Sequence, residues 1–239
     1  MSLLTEQIKA SLADKAIPEK AAFFPRFFKS GPGEYGEGDQ FLGVIVPEQR
    51  KIAKEVFKEI NLDEIEVLLH DVYHEVRLTA ILILVYRYQK LKSDSERKVI
   101  VDFYLSNLNY VNNWDLVDSS CHQILGHYYL VRKKDIFYKL ADESHLWSKR
   151  VAVISSYYWI KRGEFEDALN LSEKLLYHPH DLIHKAVGWM LRESGNKDFE
   201  VELSFLRKHY LTMPRTTLRY AIEKFDPVFR KKILAGELD

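Results

Sequence analysis

Apolar residues recur at helical spacing along nearly the whole chain. They predict helices over Leu3–Lys15, Pro18–Ser30, Pro47–Ile60, Asp63–His70, Glu75–Lys90, Asp94–Leu108 and Asn113–Leu130. The pattern continues near Lys134–Asp142, His145–Lys161, Glu164–Tyr177, Asp181–Glu193, Asp198–Tyr210, Pro214–Phe225 and Pro227–Ala235. Connections are short and no block alternates apolar with polar, which argues against strands. Proline opens several segments, where its missing N–H would have no helical partner in any case. The reading is an all-α chain of antiparallel helix pairs. Ser30–Asp39 is the one glycine-rich loop. It lacks phosphate-loop spacing and a following Lys-Ser/Thr, so a nucleotide cradle is not expected there.

A weak internal repeat points to a superhelical solenoid. The segments beginning at Val76, Lys149, His184 and Leu218 each carry a cation followed by apolar residues, with Arg77, Arg150, Lys185 and Arg219 in register. The last two steps are 35 and 34 residues and the first is 73, close to twice that. Such a period marks stacked helical pairs. Equivalent positions in stacked repeats share one surface, so these four residues are expected to form a cationic line. The missing member falls near residues 113–115. The structural alternative is a long cation snorkelling over its neighbour in each repeat.

Composition narrows the class. Of 239 residues, 46% are hydrophobic, enough for a core, and the longest apolar stretch, Ala80–Val85, is far short of the roughly 20 residues a membrane span needs. One domain over residues 1–239 is expected, with no membrane partner. The first residues lack the basic start and apolar run of a signal peptide, and Cys121 is the single cysteine. A reduced, cytoplasmic setting is therefore expected, and the chain is expected to act as a monomer. Net charge is zero. Nucleic-acid-binding domains are more often basic, so any phosphate binding would rest on a local stripe.

The densest candidate chemistry is Asn113-Trp114-Asp115-Leu116-Val117-Asp118. On a helix Trp114 and Asp118 lie one turn apart on one face. An aromatic plane beside a carboxylate suits a cationic or cation-forming ligand, or is simply a half-buried Trp beside a helix-facing Asp. Asp115 points about 100° away from Trp114 on a helix, which favours a capping or structural role. Trp147 with Arg150, and Trp189 with Lys185 and Arg192, repeat the pairing of indole and charge at helical spacing. His178-Pro-His180 with His184 looks like a turn; no acidic pair or Cys completes a metal set, and no metal or cofactor is expected. Cys121 has no evident base beside it.

The ordered segments Asn113–Asp118, Trp147–Val153 and Lys185–Glu193, with Phe41-Leu-Gly43-Val-Ile-Val-Pro47-Glu-Gln-Arg50 before them, resemble the AlkD-type DNA alkylation repair glycosylases, which are built from HEAT-like repeats. The resemblance runs from about Pro18 to Phe225. It implies a concave cationic cleft for duplex DNA and removal of N3- and N7-alkylated purines such as 3-methyladenine and 7-methylguanine. It gives Asp118 the catalytic role, places Trp114 and Trp189 beside the lesion nucleotide, and makes Arg150 the essential arginine. Arg50, Arg77, Lys149, Lys185, Arg192 and Arg219 are the accompanying candidate DNA contacts. Three features depart from the family: the long Ser30–Asp39 loop, the apolar Ile45-Val46 before Pro47, and the neutral net charge. Because some relatives bind DNA without excision, and helical arrays also bind proteins, two alternatives stand: a non-catalytic reader of distorted or branched DNA, and a protein-binding scaffold.

Overall fold

The computed structural model describes residues 2–238, and they form helices without a strand. The expected all-α class therefore holds. No described helix is long and apolar enough to cross a membrane. The chain divides into two compact units, one reaching to Ser120 and one from Cys121 onwards.

The first unit contains α1 (Leu3–Asp14), α2 (Pro18–Phe28), α3 (Val46–Val56), α4 (Leu62–Leu69), α5 (His74–Lys90), α6 (Asp94–Ser106) and α7 (Trp114–Asp118). Side-chain caps fix several starts. Ser2 accepts from the Thr5 amide, Ser93 from the Glu96 amide, and Asn61 and Glu64 form a reciprocal capping box, each satisfying a donor the helix cannot. α5 is the hub, packed against α3, α4, α6 and α7. It is buried without interruption from His74 to Val85. A helix enclosed on every side cannot leave His74, Glu75 or Arg77 to water, so each must find a partner within the protein.

Those partners lie in the preceding loops. Glu75 accepts hydrogen bonds from the amides of Leu42 (3.1 Å), Gly43 (2.7 Å) and Val44 (3.2 Å). Gly43 has φ +86°, and a Cβ there would collide with the Ile17 carbonyl and lie 2.7 Å from the Ala21 nitrogen. The Phe41–Pro47 signature is thus a backbone turn shaped to fit one buried carboxylate and the start of α2. A single bridge joins Gln40 to Tyr73 and seats the end of the glycine-rich loop beside the start of α5.

The second unit contains α8 (Asp135–Asp142), α9 (Leu146–Ser155), α10 (Tyr157–Ile160), α11 (Glu166–Leu175), α12 (Asp181–Lys197), α13 (Phe199–His209), α14 (Arg215–Ala221) and α15 (Pro227–Ala235). α12 is central, packed against α9, α10, α11, α13 and α14. Its closest neighbour is α14. A Cβ on Gly188 would lie 2.5 Å from the Tyr220 Cβ, so the absence of a side chain permits that approach. Trp159 is fully buried; its indole N–H donates to the Gly126 carbonyl at 2.7 Å and its ring meets Phe137 edge-on.

Two long helices expected from periodicity are broken by serine. The segment expected as Asn113–Leu130 is interrupted at Ser119 and Ser120. There the Ser119 and Ser120 hydroxyls donate to the carbonyls of Asp115 and Leu116, both at 2.6 Å, and residues His122–Gly126 are π-helical. The segment expected as His145–Lys161 breaks at Ser156, whose hydroxyl takes the Val153 carbonyl at 2.6 Å. Hydroxyls that bond back to the helix compete with its own ladder.

Candidate functional site

α7 is five residues long, and its third and fourth residues, Leu116 and Val117, are fully buried. They anchor the turn, while Trp114, Asp115 and Asp118 are each half-buried. Asn113 caps the helix through its side-chain oxygen, which accepts from the Trp114 amide at 2.8 Å. The Trp114 ring stacks on Phe28 at a centroid distance of 5.6 Å with planes 20° apart, and meets Phe27 edge-on at 5.8 Å. The α2 phenylalanines therefore hold the indole, and Phe27 remains about half exposed beside it.

Asp115 meets the buried His74 ring. Its Oδ2 lies 2.8 Å from His74 Nε2, and the other ring nitrogen of His74 lies 3.1 Å from Asp39 Oδ2. Arg77 completes the cluster, donating to Asp39 Oδ1 at 2.6 Å and to the carbonyls of Asp71 and Val72. Burial opposes protonation of His74, but the Asp115 charge and the hydrogen bonds to both carboxylates outweigh it and raise its pKa to about 9. Burial likewise opposes ionisation of Asp39, yet the His74 hydrogen bond and the Arg77 charge hold it below the ordinary carboxylate range. Two anions and two cations balance within this buried group.

Arg77 therefore does not belong to a surface line of cations. It is 4% exposed and committed to Asp39. The expected line fails in the second unit as well, where Arg150 is 5% exposed and donates to the Leu182 carbonyl, whereas Arg219 is exposed. Repeat register put these cations at equivalent positions, but the depth of each helix differs. Lys185 pairs with Asp181 at 2.7 Å, one turn earlier on α12. Lys149 donates to the Ala141 carbonyl at 2.9 Å. Arg192 pairs with Glu223, and Arg50, in the first unit, donates to the Tyr86 hydroxyl at 3.3 Å.

In the second unit Trp189 is half-buried on α12, its indole N–H donating to Glu193 at 3.2 Å and its ring 5.6 Å from Tyr157. Trp147 is a core residue. The histidine turn is used locally. His178 Nδ1 accepts from the His180 amide, His180 Nδ1 from the Leu182 amide, and His184 Nε2 meets the His178 carbonyl. Burial, together with nearby cations that include Lys149 for His178 and Arg150 and Lys185 for His180, lowers the pKa of both His178 and His180, with Asp181 opposing at His180.

A family model described as DNA alkylation repair enzyme matches residues 8–225. The chain belongs to the DNA alkylation repair enzyme family. Its fold is similar to that of a solved structure described as a predicted DNA alkylation repair enzyme from Enterococcus faecalis, with a TM-score of 0.70 and 18% identity over 89% of this chain and 98% of that one. No curated protein matches the chain. The family places DNA alkylation repair as its field of action.

For this family member, the sequence reading missed His74, Asp39 and Glu75. A usable signal was present: Tyr73-His74-Glu75-Val76-Arg77 stands two residues before the unbroken apolar stretch from Ala80 to Val85. Charges at the start of a fully enclosed helix imply buried partners. The glycine-rich loop, read as a departure at the edge, delivers Asp39 to the start of α5. It also packs Gly36 so closely that a Cβ there would lie 2.6 Å from the Phe28 carbonyl and 3.2 Å from Asn113 Nδ2.

Proposed function

We propose that the protein is a monofunctional DNA N-glycosylase that excises cationic N3- and N7-alkylated purines from duplex DNA by hydrolysis. The observation that carries this reading is the α7 turn. It commits one carboxylate, Asp115, to the His74 ion cluster, while Asp118 lies one helical turn from Trp114 and both of these are half-buried.

Alkylation at N3 or N7 puts positive charge on the purine, so the base is already an activated leaving group. Cleavage of the C1′–N bond passes through an oxocarbenium-like sugar. A carboxylate near C1′ stabilises that cation and orients the attacking water. At about 4 Å and an effective dielectric near 20, such a charge contributes roughly 4 kcal/mol, equivalent to about a thousandfold in rate. That suffices for a labile cationic lesion and is too little for a neutral base, so selectivity follows from the chemistry of the lesion. Asp118 takes this role. Trp114 supplies an aromatic face to the nucleotide, and Trp189 is assigned the same task in the second unit. Arg150 supplies charge to a phosphate from a buried position, where Coulombic effects are less screened than in water. Neither Lys149 nor Lys185 is assigned as a Schiff-base nucleophile, so the product is an abasic site.

Release of 7-methylguanine and 3-methyladenine from alkylated duplex DNA tests the proposal. Wild type should release both, and Asp118→Asn should be slowed by about a thousandfold while melting normally. Absence of release by folded wild type refutes the glycosylase reading. Undiminished release by Asp118→Asn refutes the catalytic assignment.

A further inference from the structure

Both residues flanking Trp114 end on the same buried group. Before it, Asn113 donates through Nδ2 to Asp39 Oδ2 at 3.3 Å. After it, Asp115 meets His74 Nε2 at 2.8 Å. The indole itself stacks on Phe28, and Phe28 also contacts Phe41 at 5.3 Å and the His74 ring at 4.4 Å. Backbone on either side of Trp114 and the ring beneath it thus converge on one imidazole that is 1% exposed.

We propose that His74 is a positioning residue, an imidazolium clamped between Asp39 of the glycine-rich loop and Asp115 of α7, and that this clamp sets Trp114 and Asp118 for the reaction. The inference rests on the proposed function for the roles of those two residues. Its geometric part stands without DNA.

The clamp needs the charged ring. Only imidazolium carries N–H on both nitrogens, and each nitrogen faces a carboxylate oxygen. A neutral ring has one N–H for two carboxylates, so either the loop link or the α7 link is lost, and a lone pair is left against an anion. The charged groups around His74 are Asp39 from the loop, Asp115 from α7, and Arg77 and Glu75 from α5 itself; α2 presents the Phe28 ring and the following turn presents Phe41. Glu75 is occupied by the amides of residues 42–44 and Arg77 by Asp39. Neither replaces the second N–H. Asp39 retains Arg77 if the ring loses its proton, whereas Asp115 keeps the adjacent Leu116 amide at 3.0 Å.

The test is 19F NMR of the full-length protein labelled with 5-fluorotryptophan, with the Trp114 resonance assigned by Trp114→Phe. In DNA-free wild type the Trp114 resonance should titrate with a midpoint near the His74 value of about 9, and the Trp159 resonance should not follow it. In His74→Gln the Trp114 resonance should be displaced already at pH 7 and should no longer titrate. Base release by wild type should fall in kcat, with KM little changed, by about tenfold between pH 8 and 10 as the protonated fraction falls. A Trp114 resonance that is flat from pH 7 to 10 overturns the clamp in wild type, even if His74→Gln fails to fold. A moving resonance with a flat kcat overturns its role in positioning. Absence of base release at every pH refutes the proposed function and leaves the NMR result to decide the clamp alone.

Discussion

Glu75 Oε1 lies 2.7 Å from the Gly43 nitrogen, across 32 residues of sequence. With the Leu42 and Val44 amides it makes a buried three-amide carboxylate site. Charge-assisted hydrogen bonds of this kind are the stronger class. Removing the acceptor leaves backbone donors enclosed and unsatisfied. Glu75→Ala should therefore destabilise the protein by about 3 kcal/mol or more, read as a lower urea midpoint at unchanged m-value. A loss under about 1 kcal/mol would mean that water replaces the carboxylate and that the turn is not held by it.

Gly43 sits in the same turn and separates two sources of cost. Its φ of +86° disfavours any side chain, and a Cβ would also strike the backbone of α2. Gly33 has φ +75° with nothing within 4 Å of the added carbon. Gly33→Ala should cost about 1 kcal/mol from backbone conformation alone. Gly43→Ala should cost distinctly more, because rigid backbone must move to admit the methyl group. Thermal denaturation of both variants checks the order. Equal costs would show that the α2 start is free to shift.

The legibility of this molecule in its sequence divides along a physical line. Helix positions depend on local periodicity and caps, and segments such as Asp94–Ser106, preceded by its Ser93 cap, were readable within a turn or so. The break after Asp118 was not, because hydroxyl competition at Ser119 and Ser120 does not disturb the apolar period. For the site, helix geometry separates Asp115 from Trp114 by about 100°, but it does not name the partner of Asp115. His74 lies 41 residues away, and no periodicity encodes a tertiary ion pair. Arg77 failed for a related reason. It shares a repeat register with Lys185, but α5 is enclosed where α12 leaves Lys185 partly exposed. Replacing Asp115 would also disturb the cluster that His74 joins beneath Trp114.

Glu202 on α13 gives a pH-dependent prediction independent of the site. Its side chain is buried, Oε1 has no hydrogen-bond partner, and burial pushes its pKa up to about 9 against the opposing Arg192 charge. An acid whose folded pKa is raised contributes stability that is present below the unfolded value and lost as pH rises towards the folded one. The window therefore runs from about 4.5 to about 9. Glu202→Gln cannot ionise. It should match wild type near pH 4 and exceed it by about 3 kcal/mol at pH 7. The difference between the two proteins is the informative quantity, because loss of the His74 proton also lowers stability as pH rises through about 9. Parallel stability curves for the two proteins would show that Glu202 ionises freely in the folded state.

Arg219 and Arg77 share a repeat register but should part company in DNA binding. Arg219 is exposed on α14, while Arg77 is buried against Asp39. Each phosphate neutralised by an arginine steepens the dependence of log affinity on log salt by about 0.9. If Arg219 meets DNA as its place in the repeat register suggests, Arg219→Gln should make that slope shallower by about one such step and leave the melting temperature unchanged. Arg77→Gln should do the reverse. It takes one of two cations from the buried Asp39, which keeps His74 and Asn113, and should cost about 3 kcal/mol of stability, with the salt slope preserved at temperatures where the variant stays folded. A shallower slope in Arg77→Gln would place its guanidinium on DNA after all, and would require the Asp39 pair to open on binding.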